Sequence, residues 1–447
     1  MSNTTTRRIF LGAATAAAAS RVWGANDRIS IAIIGIGGRG TSHLNTYSKI
    51  PEARVAGLCD VNQAAREVAQ ATLLKNTGEK AKEFIDMREA FADPTIDAVS
   101  IATPNHWHAL ATIWAVKAGK DVYCEKPACY NIHEGQAMLA AQQETKKMIQ
   151  IGSQHRSMPF KIKGMQALQG GVIGNVYMAK GLCFKPRPPL PHTEDAPTPA
   201  GVNWDLFLGP APMRPFNQLR FAYDWHWFWD TGNGDIGNQG VHEMGICRWG
   251  LGDPQWPKSA VAMGGRYGEP DQGETPNTLL ASFDYGGREL VFEVRGLNTN
   301  GEGVAPPPPR PKAGSTAPEI RRPDAPINVT VGNLFYGSNG WMAMNDGGYQ
   351  IYKGDSSELI AEEKPARGED STRLHMENFL AGVRSRKLTD LHDPITNAYL
   401  SAGLCHLANI SYRTGHKLNV EAGPKFTGDQ TATAQITRPV YRKPYVV

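Results

Sequence analysis

The sequence predicts an α/β protein of two domains: an N-terminal doubly wound sheet, then an α+β domain with a large, mostly antiparallel sheet. Two observations carry this. Between residues 28 and 147 short β-branched runs alternate with helical patterns, and after residue 175 longer strand-like runs follow one another. A chain of 447 residues also exceeds what one hydrophobic core usually serves. With 41% hydrophobic and 20% charged residues the composition excludes a disordered chain, and 47 glycines and 31 prolines imply many turns. Of the formal net charge of +4, three charges belong to Arg7, Arg8 and Arg21, so the near-neutral remainder implies no nucleic-acid or polyanion partner. The six cysteines (Cys59, Cys124, Cys129, Cys183, Cys247, Cys405) form no CxxC pair and read as buried thiols. No metal is assigned.

Residues 1–25 are read first. Thr6-Arg7-Arg8-Ile9-Phe10-Leu11-Gly12 precedes an alanine run and the small residues Gly24 and Ala25, an order that resembles a twin-arginine export signal. The apolar run is too short to cross a bilayer of about 30 Å as a permanent helix. The expectation is an exported, periplasmic protein with no stable membrane insertion.

Residues 27–149 are expected to form the first domain. Arg28 to Ile34 is a buried parallel strand that ends in Gly35-Ile36-Gly37-Gly38-Arg39-Gly40, a GxGxxG loop opening a helix over residues 41–49. Such a loop lets a pyrophosphate approach the helix amides, which marks a Rossmann dinucleotide site. The strand Ala53 to Cys59 ends at Asp60, where a carboxylate accepts from the adenosine ribose hydroxyls. No basic residue directly follows Asp60, so NAD is favoured over NADP, although Arg66 or Arg39 could swing toward a 2′-phosphate. Helix 65–71, strand 97–102, helix 107–118, strand 121–124 and helix 134–147 continue the alternation. Ligands of such sheets bind beyond the strand C-termini, which singles out Thr103-Pro104-Asn105-His106 and Glu125-Lys126-Pro127. An ammonium there would stabilise a developing alkoxide and relay its proton, with Glu125 holding it in place.

With these loops on the page, the chain resembles the Gfo/Idh/MocA family of glucose-fructose oxidoreductase and inositol dehydrogenase relatives. The matching residues are Gly35 to Gly40, Asp60, Ala102 to His108, Glu125-Lys126-Pro127, Gly174-Asn175-Val176 and Gly232 to His242. The resemblance implies that Thr103 and Asn105 lie near the nicotinamide, that Lys126 faces the reacting carbon, and that the second sheet carries subunit contacts in a homo-oligomer. His106 and Glu125 are grouped with the cofactor loops.

Residues 150–447 are expected to form the substrate-binding and oligomerisation domain. Met148 to Arg156 reads as a strand delivering His155 and Arg156 to the ligand edge. Strands are expected at 177–184, 260–264, 278–285, 289–295 and 327–331, with a turn at 335–337. Helices are expected at 375–386 and 393–414, and the tail after Gly415 is a candidate to wrap a neighbour. The proline-rich stretch 301–326 reads as a solvated insertion. Three tryptophans, Trp225, Trp227 and Trp229, fall within five residues, either a wall for sugar C–H faces or core packing. The family's Asp-x-Gly-x-His motif has Asn238 and His242 here, one helical turn apart. His242 is then a weaker base or a substrate hydrogen-bond donor, and nearby Asp235 could substitute for the missing acid.

The function expected is an exported NAD(P)-dependent oxidoreductase that acts on a CH–OH group of a sugar, polyol or glycoside. Lys126 and His242 are the catalytic pair. Lys126, His155, Arg156, Trp225, Asp235, Asn238 and His242 form the substrate side. Outside the cytoplasm no nicotinamide pool is replenished, so the cofactor is expected to stay bound and be recycled within the cycle. Two alternatives remain: an NAD-dependent glycoside hydrolase working by transient oxidation and elimination, and a catalytically idle protein that binds nucleotide and sugar.

Overall fold

The computed structural model describes residues 28–221, 223–299, 327–354, 358–421 and 423–447. The stretches expected to be an export signal and a proline-rich insertion lie outside the described residues. The first sheet is built from β1 (Ile29–Ile34), β2 (Ala53–Cys59), β3 (Lys82–Phe84), β4 (Ala98–Ile101), β5 (Asp121–Cys124) and β6 (Ile149–Ile151). All pairs are parallel, in the order β3-β2-β1-β4-β5-β6. Helices α1 (Gly38–Tyr47), α2 (Gln63–Thr77), α3 (Met87–Ala92), α4 (His108–Lys117) and α5 (Ile132–Thr145) make the crossovers. Except for the exposed edge strand β3, the strands are largely buried on both faces, which is why they read as apolar, mostly β-branched runs.

The second sheet comprises β7 (Val176–Phe184), β8 (Ser259–Gly265), β9 (Thr278–Asp284), β10 (Glu289–Arg295), β11 (Val331–Gly337), β12 (Gly340–Asn345), β13 (Gly348–Lys353), β14 (Leu359–Glu363) and β15 (Leu418–Asn419). Its order is β14-β13-β12-β11-β7-β10-β9-β8-β15, antiparallel throughout except for the β7–β10 pair. Alternation in β10, Glu-Leu-Val-Phe-Glu-Val-Arg, sends Leu290, Phe292 and Val294 into the core and leaves the other face open. The remaining helices are α6 (Pro159–Gln169), α7 (Trp204–Leu208), α8 (Gln218–Phe221), α9 (Val241–Gly250), α10 (Ser371–Ser385), α11 (Ile395–Thr414) and α12 (Gln430–Ala434).

Two sequence expectations change. The strand at 148–156 stops at Ile151, because β5 ends at Cys124 and offers no further partner; Gln154–Ser157 is a 3₁₀ turn. Residues 327–330 only lead into β11, and the expected turn at 335–337 is the end of that strand, with the reversal at Ser338-Asn339. The tail packs on its own chain: Tyr445 is buried against Trp107 and Trp114, and Arg442 pairs with Asp205.

The boundary near residue 150 separates the sheets but not the cores. Met376, Phe379 and Leu380 of α10 pack beneath β1 and β5. Ile395, Ala398, Tyr399 and Ala402 of α11 belong to the first-domain core, while Leu404, Cys405, Leu407 and Ala408 belong to the second. One helix thus joins both cores. All six cysteines are buried and free.

Candidate active site

Six chain segments meet at the C-terminal edge of the first sheet: the glycine loop, Asp60, residues 103–105, Glu125-Lys126, residues 152–155 and the turn at 236–242. The glycine loop is shaped by contacts that leave no room for a side chain: a Cβ on Gly40 would lie 1.9 Å from the Gly35 carbonyl oxygen. Gly35 itself has φ +82° and sits against the Thr103 amide. Around Gly37 and Gly38, by contrast, there is open space, and the N-terminus of α1 has no capping side chain. Uncapped amides facing open space are what a pyrophosphate requires. Buried polar atoms without protein partners, Thr103 Oγ1 and Asn105 Oδ1, lie in the loop after β4. These features fit a dinucleotide.

Asp60 is nearly buried, and its carboxylate accepts from the Ile36 amide (2.6 Å) and the Asn62 amide (2.8 Å). Burial raises its pKa, and those amides and Arg66 oppose the shift. Arg66 donates to the Asp60 carbonyl oxygen at 2.6 Å. Arg39 turns inward from the loop, donating from Nε to Glu125 Oε1 (2.7 Å). Neither arginine is therefore free in this arrangement to meet a 2′-phosphate.

Glu125 does not hold the Lys126 ammonium, which corrects the sequence expectation. Its Oε1 also contacts His43 Nε2 at 3.0 Å, and its other oxygen accepts from the Lys126 amide at 3.2 Å. Burial disfavours the Glu125 carboxylate, but Arg39 and His43 more than offset this and keep its pKa well below the ordinary value. Gly152 packs so close that a Cβ there would lie 2.7 Å from Glu125 Oε1. Lys126 instead reaches across the domain junction, donating from Nζ to the Asn238 carbonyl (2.7 Å) and, more weakly, to Asn238 Oδ1 (3.3 Å). Burial lowers the Lys126 pKa, and the Glu125 charge opposes the shift.

Asn238 lies in a single π-helical turn, Ile236–Gly240, that runs into α9. Its side-chain amide donates to the Tyr223 hydroxyl at 3.1 Å. His242, on the first turn of α9, is buried with Nδ1 unpartnered and its ring 4.7 Å from that of His155. Burial drives the His242 pKa well below the usual value, and neighbouring His155 and Lys126 add to this. His155 is pushed down to about 3 by burial and Lys161, opposed by Asp346 at 3.4 Å. Both imidazoles are therefore neutral at pH 7.

The structure brings Glu125, Lys126, Asn238, His242 and His155 together but assigns other expected residues elsewhere. Asp235 is claimed by Arg187 (2.7 and 3.2 Å) and does not replace the missing acid at 238. Arg156 is buried in ion pairs with Asp253 and Asp393, a structural role rather than a substrate contact. His106 turns inward to the Phe207 carbonyl (3.0 Å) instead of facing the cofactor edge, and burial pushes it down to about 3. Trp225 is half-buried and stacks on His226, with ring centroids 3.6 Å apart, while Trp227 is buried in a small core with Leu190, Leu219 and Phe228. Residues not anticipated include His43 and Asn233, which accepts from Asn105 at 2.6 Å and so ties the two domains. His43 carried no sequence signal, and Asn233 only its place in the matching segment 232–242, since each gains its role from a partner more than 80 residues away.

A glycine-loop sheet edge facing a half-buried lysine and a buried histidine defines a class: two-domain proteins built on a dinucleotide-binding domain. Comparison with known proteins agrees. Residues 29–153 match the oxidoreductase family, NAD-binding Rossmann fold, and residues 189–284 match its C-terminal alpha/beta domain. Both matching models describe the Gfo/Idh/MocA oxidoreductase family, so these two segments of the chain are similar to that family. Inositol 2-dehydrogenase of Salmonella typhimurium is 32% identical over 151 residues, 33% of this chain and 44% of that protein. An uncharacterized oxidoreductase, YrbE of Bacillus subtilis, is 30% identical over 165 residues, 36% of this chain and 46% of that protein. These matches span less than half of the curated relatives. Among solved structures, levoglucosan dehydrogenase in complex with NADH and levoglucosan superposes with a TM-score of 0.64 at 17% identity, over 88% of this chain and 100% of that one. The WlbA dehydrogenase of Bordetella pertussis, in complex with NADH and UDP-GlcNAcA, gives 0.62 at 19%, over 88% and 99%. At these identities the likeness is one of fold.

Proposed function

We propose that this protein is an exported oxidoreductase that moves hydride between NAD and a carbinol carbon of a sugar, polyol or glycoside, retaining its nucleotide through the cycle. The observation that carries the reading is Lys126 Nζ, held by Asn238 at the ligand edge beyond β5 beside a neutral, buried His242. When bound, the nicotinamide supplies the hydride acceptor or donor. Lys126, its pKa lowered by burial, stabilises the oxygen of the carbinol as negative charge develops and passes on its proton. His242 Nδ1 accepts a hydroxyl hydrogen bond or proton. Thr103 and Asn105 contribute the unpartnered oxygens near the cofactor edge.

Asp60 supports NAD over NADP, because a carboxylate at the end of β2 repels a 2′-phosphate and no free arginine compensates. The names of relatives, inositol and levoglucosan dehydrogenases, support a polyol or sugar as substrate. Export rests on Arg7-Arg8 and the alanine run after them, and recycling follows from export by the argument about nicotinamide supply. A homo-oligomer is supported by large apolar side chains exposed on the second sheet, Tyr177, Val261, Met263 and Leu280.

A redox-neutral glycosidase cycle is the second reading, favoured by the neutral, buried His242, a base suited to removing the proton next to a transient carbonyl. The idle-binding reading is disfavoured by the retained lysine. The test is to denature the folded, exported protein without added nucleotide and to quantify NAD, NADH, NADP and NADPH by chromatography. Stoichiometric NAD(H) is expected. An empty protein that also fails to bind added nucleotide would overturn the proposal.

A further inference from the structure

The second domain holds a cavity of about 510 Å³ that the chemistry above does not use. Arg187, Trp227, Asp235, Arg266, Tyr267 and Leu297 line it, with four prolines. Its walls are fixed from within the chain. Arg266 pairs with Asp271 at 2.5 Å and donates to the Thr275 carbonyl at 3.0 Å. Asp271 also accepts from the Leu190 and Gly273 amides, each at 2.9 Å. Asn277 brackets Tyr267, donating to its carbonyl at 2.8 Å and accepting from its amide at 3.0 Å. Arg187 is forked onto Asp235 with its guanidinium 5.2 Å from the Trp227 ring centroid. A cavity so braced is preformed, which lowers the entropic cost of filling it.

The lining selects against ions. Both guanidiniums are neutralised by carboxylates, and Glu269 adds a further negative charge, so an anion finds no free cation. Between the charged pairs lie apolar faces: the prolines, the Trp227 ring, and Tyr267 and Leu297, which stand 54% and 40% exposed at the cavity. Flat apolar faces beside fixed polar groups suit a neutral ring, either hydroxylated or aromatic. The cavity also adjoins the reaction centre through one short segment. Asp235 forms its wall, and three residues later the Asn238 carbonyl holds Lys126 Nζ.

We propose that this cavity is a second subsite that takes the non-reacting ring of a glycoside while the reacting sugar lies at Lys126. The proposal rests on the oxidoreductase reading for the identity of the reacting site but not for the binding itself. The test uses the whole exported protein with the nucleotide it carries. Binding is measured by calorimetry for methyl, phenyl and disaccharide glycosides of gluco-, galacto- and xylo-configured sugars, and hydride transfer is followed separately by nicotinamide absorbance. For at least one sugar, the phenyl glycoside or the disaccharide is expected to bind about tenfold more tightly than the methyl glycoside. A gain confined to phenyl glycosides identifies an aryl aglycone as the occupant, and a gain for disaccharides a second sugar.

Tyr267→Ala and Leu297→Ser, at exposed positions of the cavity lining, should each abolish most of that gain and leave methyl glycoside binding and the melting temperature unchanged. Tyr267→Phe should retain the gain. If no extended glycoside outbinds its methyl counterpart, or if the gain survives both substitutions, the subsite is overturned even when hydride transfer is intact. If the gain is lost in the variants while no absorbance change occurs in any protein, the subsite stands and the oxidoreductase reading fails.

Discussion

Glu125 and Lys126 are adjacent in sequence yet serve different partners, because a strand's end sends successive side chains in opposite directions. Glu125 turns inward to Arg39 and His43, and Lys126 turns outward to Asn238. Lys126→Ala is therefore expected to lower kcat by about 10² to 10⁴, leaving nucleotide content and substrate binding near the parent values. Unchanged turnover would remove Lys126 from the mechanism. Asp60→Ser removes the charge that opposes a 2′-phosphate, so the ratio of NADP to NAD affinity should rise; titration of the emptied protein with both nucleotides reads this directly. Glu243 tests the electrostatics of α9. Burial raises its pKa to about 8, so the fold keeps it neutral while the unfolded chain ionises near 4.5. Its contribution is full below 4.5 and is lost as pH rises toward 8. Glu243→Gln should hence raise the melting temperature relative to the parent by more at pH 8 than at pH 5; an equal offset at both would mean that Glu243 is already charged in the fold.

At the scale of elements, the junction between β1 and α1 depends on contact more than on turn type. A Cβ at Gly40 would meet the Gly35 carbonyl at 1.9 Å, so Gly40→Ala must displace the loop. The expected result is a folded protein that is purified without nucleotide, checked by chromatography of the denatured sample. The π turn at Ile236–Gly240 is the element that sequence patterning could not reveal, since its residues fit an α-helix equally well. The same limit explains the strand misread beyond Ile151. Its apolar residues were legible, but where pairing stops is set by the neighbouring strand β5.

Over the whole molecule, α11 and the C-terminal tail hold the two sheets in register. Tyr445 is 3% exposed between Trp107, Trp114 and Arg442, while Arg442 reaches Asp205 and the Gly209 carbonyl in the second domain's approach segment. Tyr445→Ala should cost about 3 kcal/mol of stability by denaturant titration. A loss below roughly 1 kcal/mol would show that the tail is not a strap. The buried histidines set the acid limit. Burial pushes His106 and His155 down to about 3, and His375 and His406 to about 4. They stay neutral in the fold while the unfolded chain takes up protons below about 6.5, so stability is lost as pH falls from there. The melting temperature should drop between pH 7 and pH 5, and a flat profile over that range would mean that these rings are hydrated.

The sequence by itself determined the glycine loop, Asp60, the alternating first domain, the largely antiparallel second sheet and the positions of Lys126 and His242. Each of these is written in local order: a run of β-branched residues, a spacing of glycines, a polar residue directly after a strand. Only the tertiary structure decided who pairs with whom. Arg187 captures Asp235, Asp253 and Asp393 capture Arg156, and His43 joins Arg39 on Glu125. The physical reason is that a buried charge must be satisfied by whichever partner the packing brings within about 3 Å, and that partner can lie anywhere along the chain.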